Sequence, residues 1–489
     1  MFRKLAGALL FTALLAPPVR AQSDTAWNKL YLRDLDSLRA AIAANHPGVI
    51  DAQNPEFART LERAYADARR LASKVDDFAS FQVALTRFID QFEDQHLQVG
   101  FTRQMDSLRE AGIIVKYDQG AFVVVDVHNR YGNSSRLLGA KVDMCEGIPA
   151  DRIFRNRVLW WLGREKIEAD WHRRAPLFFV DYGPPTPRAP RACSFDVQGS
   201  TIIQQLQWRT TARADFNAVL QQTFRLAQRN LGTKHVGARA LWVGLPTFNT
   251  NSDSLLTVMR ATLDSLRTFL SAQPEWQLLV FDLRNNSGGS STWGDEIAKI
   301  VFGESWIEQA TSYLYDGVYT EWRLSPENLR SMRELQQQIA QREGAESTNA
   351  RNFKTFVDSA EAELARGIKY YGTRRTVSNA PKPAPVAVPG KIAVITTTSC
   401  FSACLDFLDR MRLHPAVVHV GQTTGVDTNY MENTGGAISE LTTWTYPMKV
   451  YRNRKRAMNE AYKPQVPYAA SLEDDQALRD WILENYKSW

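Results

Sequence analysis

Nucleophilic catalysis needs a hydroxyl or thiol, a base to take its proton, a group that orients the base, and amide donors facing the developing oxyanion. The segment Thr397-Thr398-Ser399-Cys400-Phe401-Ser402-Ala403-Cys404 offers the hydroxyl. It follows the apolar run Ile392 to Ile395 and precedes a helical pattern that reaches Met411. Ser402 is therefore expected at a strand-to-helix turn, at the carboxyl end of a sheet and near the positive end of a helix dipole. Taken alone, a serine there is more often a helix N-cap than a nucleophile. Gly288 and Gly289 follow a second apolar run, LLVFDLR, where glycine lets the backbone turn with positive φ and present its N–H at close range. A plain turn after a buried strand is the alternative. The sequence holds no His-Glu-x-x-His, no paired Cys-x-x-Cys and no Walker-type glycine loop, so no metal and no cofactor is expected.

The elements that must carry these residues follow from periodicity. From Ala240 onward strand-like runs alternate with helical ones: ALWVGLPTF, a helix through Leu255, Met259, Leu263 and Leu266, LLVFDLR, then KIAVITTT, the helix after Ser402, and AVVHVG. Such alternation predicts a largely parallel sheet with crossover helices. Residues 305–385 interrupt it with polar helical sequence, read as an inserted helical arm, and Pro381 to Pro389 as a stiff connector. Toward the amino terminus, Tyr31, Leu35, Leu38 and Ile42, then Phe57, Leu61 and Tyr65, then Phe81, Leu85, Phe88 and Phe92 recur at helical spacing, with a break at His46-Pro47-Gly48. Between them lies GIIVKYDQGAFVVVDVHN, a hairpin about Asp118-Gln119-Gly120, and a loop-rich extension with Trp160, Trp161 and Trp171.

Three ordered motifs resemble those of the S41 (C-terminal-processing, tail-specific) peptidases. Asp282-Leu283-Arg284-Asn285-Asn286-Ser287-Gly288-Gly289 is similar to the DLRxNxGG signature, Ser402-Ala403 to the active Ser-Ala pair with Asp406 near its acidic position, and Gly421-Gln422-Thr423-Thr424-Gly425 to G-x-x-T-x-G. Gly139, Val142 and Gly147 match the core of PDZ-like modules. The resemblance implies Ser402 as nucleophile and an oxyanion hole from the N–H groups of Gly288 and Ala403. Where the lysine-using branch carries its base, this chain has Gly425-Val426-Asp427. Glu93-Asp94-Gln95-His96 instead resembles the xDxH segment of the tricorn-like branch, which implies His96 as base. Glu460, in Asn459 to Pro464, corresponds to the glutamate that completes that tetrad and orients the base. The relatives' hydroxyl beside the histidine is replaced by Gln95, a possible orienting group.

The resemblance implies an α/β (α+β) multidomain chain with a ClpP/crotonase-like protease core. The expected division is a signal peptide at 1–21, an N-terminal helical domain at 22–100, a PDZ-like module with extension at 101–235, and a catalytic core at 236–489. Arg3 and Lys4 precede the apolar run Leu5 to Ala16, and Val19-Arg20-Ala21 precedes Gln22, so cleavage after Ala21 and a periplasmic or secreted product are expected. No later stretch approaches the twenty or so apolar residues a spanning helix needs, so the mature product is expected to be soluble, with no membrane anchor. With 489 residues and 44% hydrophobic content, two or three packed modules are expected. The net charge of +6 is dispersed, and its densest run, Arg452 to Arg456, reads as solvated surface rather than a nucleic-acid site. Four cysteines in an oxidising compartment allow three pairings; Cys145 with Cys193 is favoured because Cys400 and Cys404 lie in a segment with its own chemistry. The function expected is an exported serine peptidase acting on peptides or protein tails through an acyl-enzyme on Ser402. The rivals are a non-catalytic ligand- or peptide-binding protein on the same fold and an α/β-hydrolase esterase, against which stands the missing Gly-x-Ser-x-Gly elbow.

Overall fold

A computed structural model describes residues 24–128, 131–224, 229–373 and 375–489; the leader read at 1–21 lies outside the described residues. The chain is a mixed α/β, multidomain protein. Its central sheet has six strands in the order Gly232–Gly237, Ala240–Gly244, Leu278–Asp282, Lys391–Thr396, Val417–Gly421 and Val466–Pro467. The first pair is antiparallel and every later pair parallel. Parallel strands covered on both faces read as continuous apolar runs. Leu278 to Asp282 is buried at every position. Alternate residues serve opposite faces: Leu279, Phe281, Ile392 and Val394 meet the helices Asp253–Ala272, Ser291–Phe302 and Ala403–Met411. Leu278, Val280, Ala393 and Ile395 meet Leu478 and Ile482 of the helix Asp475–Asn485.

A second sheet runs Gln98–Phe101, Thr442–Arg452, Tyr319–Arg323, Tyr370–Gly372, with Tyr430–Ala437 also paired to Thr442–Arg452. The helices Asp24–Asn45, Pro55–Leu71 and Phe78–Asp90 pack onto it, and Tyr31, Leu35, Phe57, Phe81, Trp322 and Tyr446 share one core. The segment read as a polar arm is thus built in. It supplies two strands and the helices Pro326–Glu343 and Thr348–Ala365, whose Met332, Val357 and Ala360 are buried in that core. Most of their polar residues cover the outer faces, which is why the sequence reads as an appendage, while Asn328 is buried and bonds Asn45 O and the Tyr446 hydroxyl.

The β-rich module between them has the order Ile113–Asp118, Ala121–Val127, Lys141–Cys145, Ala192–Val197, Ser200–Gln205. Gln119 and Gly120, both with positive φ (48° and 82°), turn its first hairpin in two residues. Cys145 and Cys193 face each other across adjacent strands and are joined by a disulfide. The tryptophan-bearing extension is helical rather than loop-like, with Trp161 and Trp171 buried. Among the described residues no helix is long and apolar enough to cross a membrane.

Arg452 to Arg456 corrects its reading as solvated surface. Arg452 is 5% exposed, bonded to Asp51 (2.7 Å) and Glu321 (2.6 Å), and Arg456 is 3% exposed, bonded to Asp427, Asp406 (2.9 Å) and Asp409 (3.1 Å). Beyond the strand's last residue, Arg452, a turn at Asn453 (φ 59°) lets Arg452, Arg454 and Arg456 all reach carboxylates from distant segments, a partnership no local sequence reveals. Arg456→Ala, which leaves the buried Asp427 carboxylate only the 3.4 Å contact with Arg454, should lower unfolding free energy by about 3–5 kcal/mol in urea titrations.

Candidate active site

The two central strands Leu278–Asp282 and Lys391–Thr396 run parallel in register, Asp282 opposite Ile395, so the loops leaving their carboxyl ends are neighbours. That register brings the glycine turn against the serine turn. A side chain on Gly288 (φ +101°) would place its Cβ 2.8 Å from Phe401 O and 2.9 Å from Ser402 Cβ. A Cβ on Gly289 (φ +134°) would come closer still, 2.1 Å from the Phe248 carbonyl carbon. Glycine is required at both places by space as well as by φ. Ser402 precedes the helix Ala403–Met411 with φ 57° and ψ −124°, and its hydroxyl makes no N-cap hydrogen bond. A non-glycine residue in such a region carries about 1–3 kcal/mol of strain that the surroundings must impose. Asp406, in the first turn of that helix, accepts from Ser291 (2.7 Å) and pairs with Arg454 and Arg456, which pins the helix start.

The base comes from the second sheet. The turn after the helix Phe78–Asp90 leads into the strand Gln98–Phe101, paired with Thr442–Arg452, and this pairing lays His96 over the serine. His96 is 3% exposed; its Nε2 stands 3.4 Å from Ser402 Oγ and its ring packs 4.6 Å from that of Phe401. Its Nδ1 faces Asp94 Oδ1 at 3.8 Å, with no hydrogen-bond partner. Asp94 Oδ1 accepts the His96 backbone N–H (2.9 Å) and the Thr428 hydroxyl (2.9 Å), and Oδ2 faces His46 Nε2 at 3.2 Å. The Gly48 N–H donates to His46 Nδ1 (3.0 Å), so the neutral ring carries its proton on Nε2 and donates to Asp94. Thr428 directly follows Gly425-Val426-Asp427, so that segment ends against this turn.

The structure brings together Ser402, His96, Gly288 and Ala403, and it departs from the sequence reading at three residues. Glu460 is exposed, and its carboxylate accepts from the Ala457 N–H (2.8 Å) in its own turn, lining a separate pocket with Tyr313 and Asp409. It therefore does not orient His96; a residue far from the histidine in sequence gave no sign of where its turn would point. Gln95, with its amide set so that the oxygen faces the guanidinium groups, accepts from Arg164 (2.5 Å) and Arg173 (2.7 Å) and donates to Val426 O (3.0 Å), away from the imidazole. Gly288 N–H is taken by Asn286 Oδ1 (2.8 Å), while Asn286 itself is held on Leu245 O. Ala403, as the first residue of its helix, keeps an N–H with no partner in the helix. The residues that sequence reasoning missed are Asp94, His46 and Thr428. Asp94 had a local sign, since Asp two residues before a backbone N–H forms an Asx turn; His46 had none beyond breaking a helix.

A cleft of about 1210 Å³ runs past the turn between core and module, lined by Asn285, Ser399 and Gln422 on one side and by Tyr117, Arg174 and Phe216 on the other. Among the described residues no three of His, Cys, Asp and Glu converge as a metal-binding set.

Burial holds His46 below the ordinary histidine value, so it stays neutral in the fold. Burial would raise the Asp94 carboxyl, but the hydrogen bonds it accepts from the neutral His46 ring and the His96 backbone outweigh it and hold Asp94 below the carboxylate range. Both shifts have the same sign: the unfolded chain binds protons that the folded one does not, so stability is lost as pH falls, first below about 6.5 at His46 and then below about 3.9 at Asp94. The urea midpoint should fall between about pH 7 and 5, and His46→Gln, which can still bond both partners, should flatten that fall; an unchanged slope would contradict the assignment.

Residues 240–462 match the family description Peptidase family S41. No curated protein sequence matches the chain. Mature CPAF complexed with lactacystin shares the fold at 13% identity over 95% of this chain and 100% of that one, with a TM-score of 0.55. Mature CPAF alone gives 14% identity over 90% and 93%, with a TM-score of 0.56. The chain accordingly carries a peptidase S41 family domain, whose matched residues include four of the six central strands and the serine turn.

Proposed function

We propose that the chain is an exported serine peptidase that cleaves peptide bonds through an acyl-enzyme on Ser402. The observation that carries the reading is His96 Nε2 at 3.4 Å from Ser402 Oγ, on a serine that does not cap its helix. Separations of this length are common before substrate binds. Ser402 Oγ attacks the scissile carbonyl carbon as its proton passes to His96 Nε2. The Ala403 N–H supports the oxyanion, and Gly288 N–H joins it if substrate draws it from Asn286. On collapse the C–N bond breaks, His96 returns the proton to the leaving amine, and an ester remains on Ser402. Water, deprotonated by His96, then releases the acid. Asp94, whose carboxylate faces Nδ1, steadies the imidazolium in the manner of a triad acid.

Peptides or protein tails are the substrate class the family supports. The module's edge strand Ser200–Gln205 offers a place for a chain end to pair by strand addition. Export through the leader at 1–21, to the periplasm or beyond, agrees with two disulfides in one chain.

Ser402→Ala should abolish peptide hydrolysis and labelling by a fluorophosphonate with circular dichroism unchanged, while Ser399→Ala costs only about threefold; activity should survive EDTA. Equal losses for the two serines would sink the assignment of Ser402 as nucleophile, and no labelling of the folded wild-type chain would point to the binding-protein reading instead.

A further inference from the structure

The serine turn contains a bond that neither the mechanism nor the family resemblance uses. Cys400 and Cys404 are joined by a disulfide that spans two residues before Ser402 and two after it, with Cα atoms 5.3 Å apart. Both cysteines are 0% exposed and lie in the core beneath the central sheet with Ala403, Leu405 and Phe407. Between them sits Ser402 with φ 57° and ψ −124°, a conformation its own side chain does not support by capping. The turn's backbone bonds are Cys400 N–H to Thr397 O (3.0 Å), Cys404 N–H to Phe401 O (3.2 Å), and the helix bonds that the Ser402 carbonyl accepts from Leu405 (2.8 Å) and Asp406 (3.2 Å), which a serine in the ordinary N-cap conformation would also make. Gly425 closes over the Cys400 carbonyl, where an added Cβ would come within 2.9 Å.

We propose that the Cys400–Cys404 disulfide is a positioning device for Ser402, so that the site becomes competent only in the oxidised chain; this rests on Ser402 being the nucleophile. A covalent ring closed across three residues leaves Phe401, Ser402 and Ala403 few alternatives to the positive-φ turn. Opened, the serine can relax to the extended N-cap conformation that serine ordinarily takes before a helix, which hands its hydroxyl to the helix N–H groups and withdraws it from His96. Closing the ring converts two thiols to one disulfide and releases two protons and two electrons to a disulfide-exchange partner, which leaves as a dithiol. Synthesised among reducing thiols, the chain would be a weak peptidase, and it would acquire its activity where disulfides form. Cys145–Cys193, joining adjacent strands of the module, provides an internal control.

The test uses the full chain, oxidised and after dithiothreitol, with the redox state of each cysteine pair read by alkylation and mass mapping. Opening Cys400–Cys404 should lower kcat and the rate of fluorophosphonate labelling about tenfold or more, with KM within about twofold and circular dichroism unchanged, and glutathione disulfide should restore both. Cys145→Ala/Cys193→Ala should respond to reductant in the same way. Where the buried bond resists reductant, Cys400→Ala/Cys404→Ala decides, and its kcat should be low under either condition. Full kcat with both residues mapped as thiols, or in that variant, would overturn the proposal. So would loss of the folded signal together with activity, since the bond would then hold the fold rather than the serine. An oxidised wild-type chain that neither labels nor cleaves would instead remove the nucleophile reading on which the proposal stands.

Discussion

A buried carboxylate joins the parts of this protein that would otherwise be separate. Asp94 is 6% exposed, and water can solvate little of it, so its charge must be met by donors from the chain. They come from three places: the imidazole of His46 at the end of the first helix, the backbone of His96 in its own turn, and the hydroxyl of Thr428 from the loop ahead of the strand Tyr430–Ala437. Satisfying that one charge fixes the N-terminal helices against the second sheet and sets the imidazole of His96 with one nitrogen toward Asp94 and the other toward Ser402.

The central sheet makes the complementary contribution. Parallel strands in sequential order put neighbouring loops at one edge, so the register of Asp282 with Ile395 alone delivers Gly288 to the back of Ser402. Neither sheet holds a complete site. The nucleophile and its glycines belong to one and the base to the other, and Asp406, paired with Arg454 and Arg456 at the end of the long strand Thr442–Arg452, is a second tie between them. The cleft opens where these two bodies and the β-rich module meet.

Much of this was legible in the sequence, for reasons that differ by element. The inner strands of the central sheet are built on apolar runs, the helix Asp253–Ala272 repeats at 3.6 residues, and glycines with positive φ stand where turns were expected, because each of these is a local property. Residues 305–385 misled because their buried stripe is thin and the core that receives it is built from distant segments on both sides, Tyr31 to Leu97 and Tyr430 to Val450. Glu460 and Arg452 to Arg456 misled in opposite senses: an acid read as orienting the base serves its own turn, and arginines read as solvated are buried partners of distant aspartates. Polar residues find their partners in three dimensions, and their spacing along the chain carries little of that information. Asp94 lay inside the very motif that pointed to His96, and only its burial shows what it does.

The account therefore turns on which carboxylate acts on His96. The direct measurement is kcat/KM for peptide cleavage by Asp94→Asn and Glu460→Gln, each checked for native circular dichroism. With Asp94 facing Nδ1, Asp94→Asn should cost roughly a hundredfold or more, as loss of the acid does in a serine triad, and Glu460→Gln less than about threefold. A Glu460→Gln enzyme as impaired as one lacking Ser402, beside a near-normal Asp94→Asn, would contradict it.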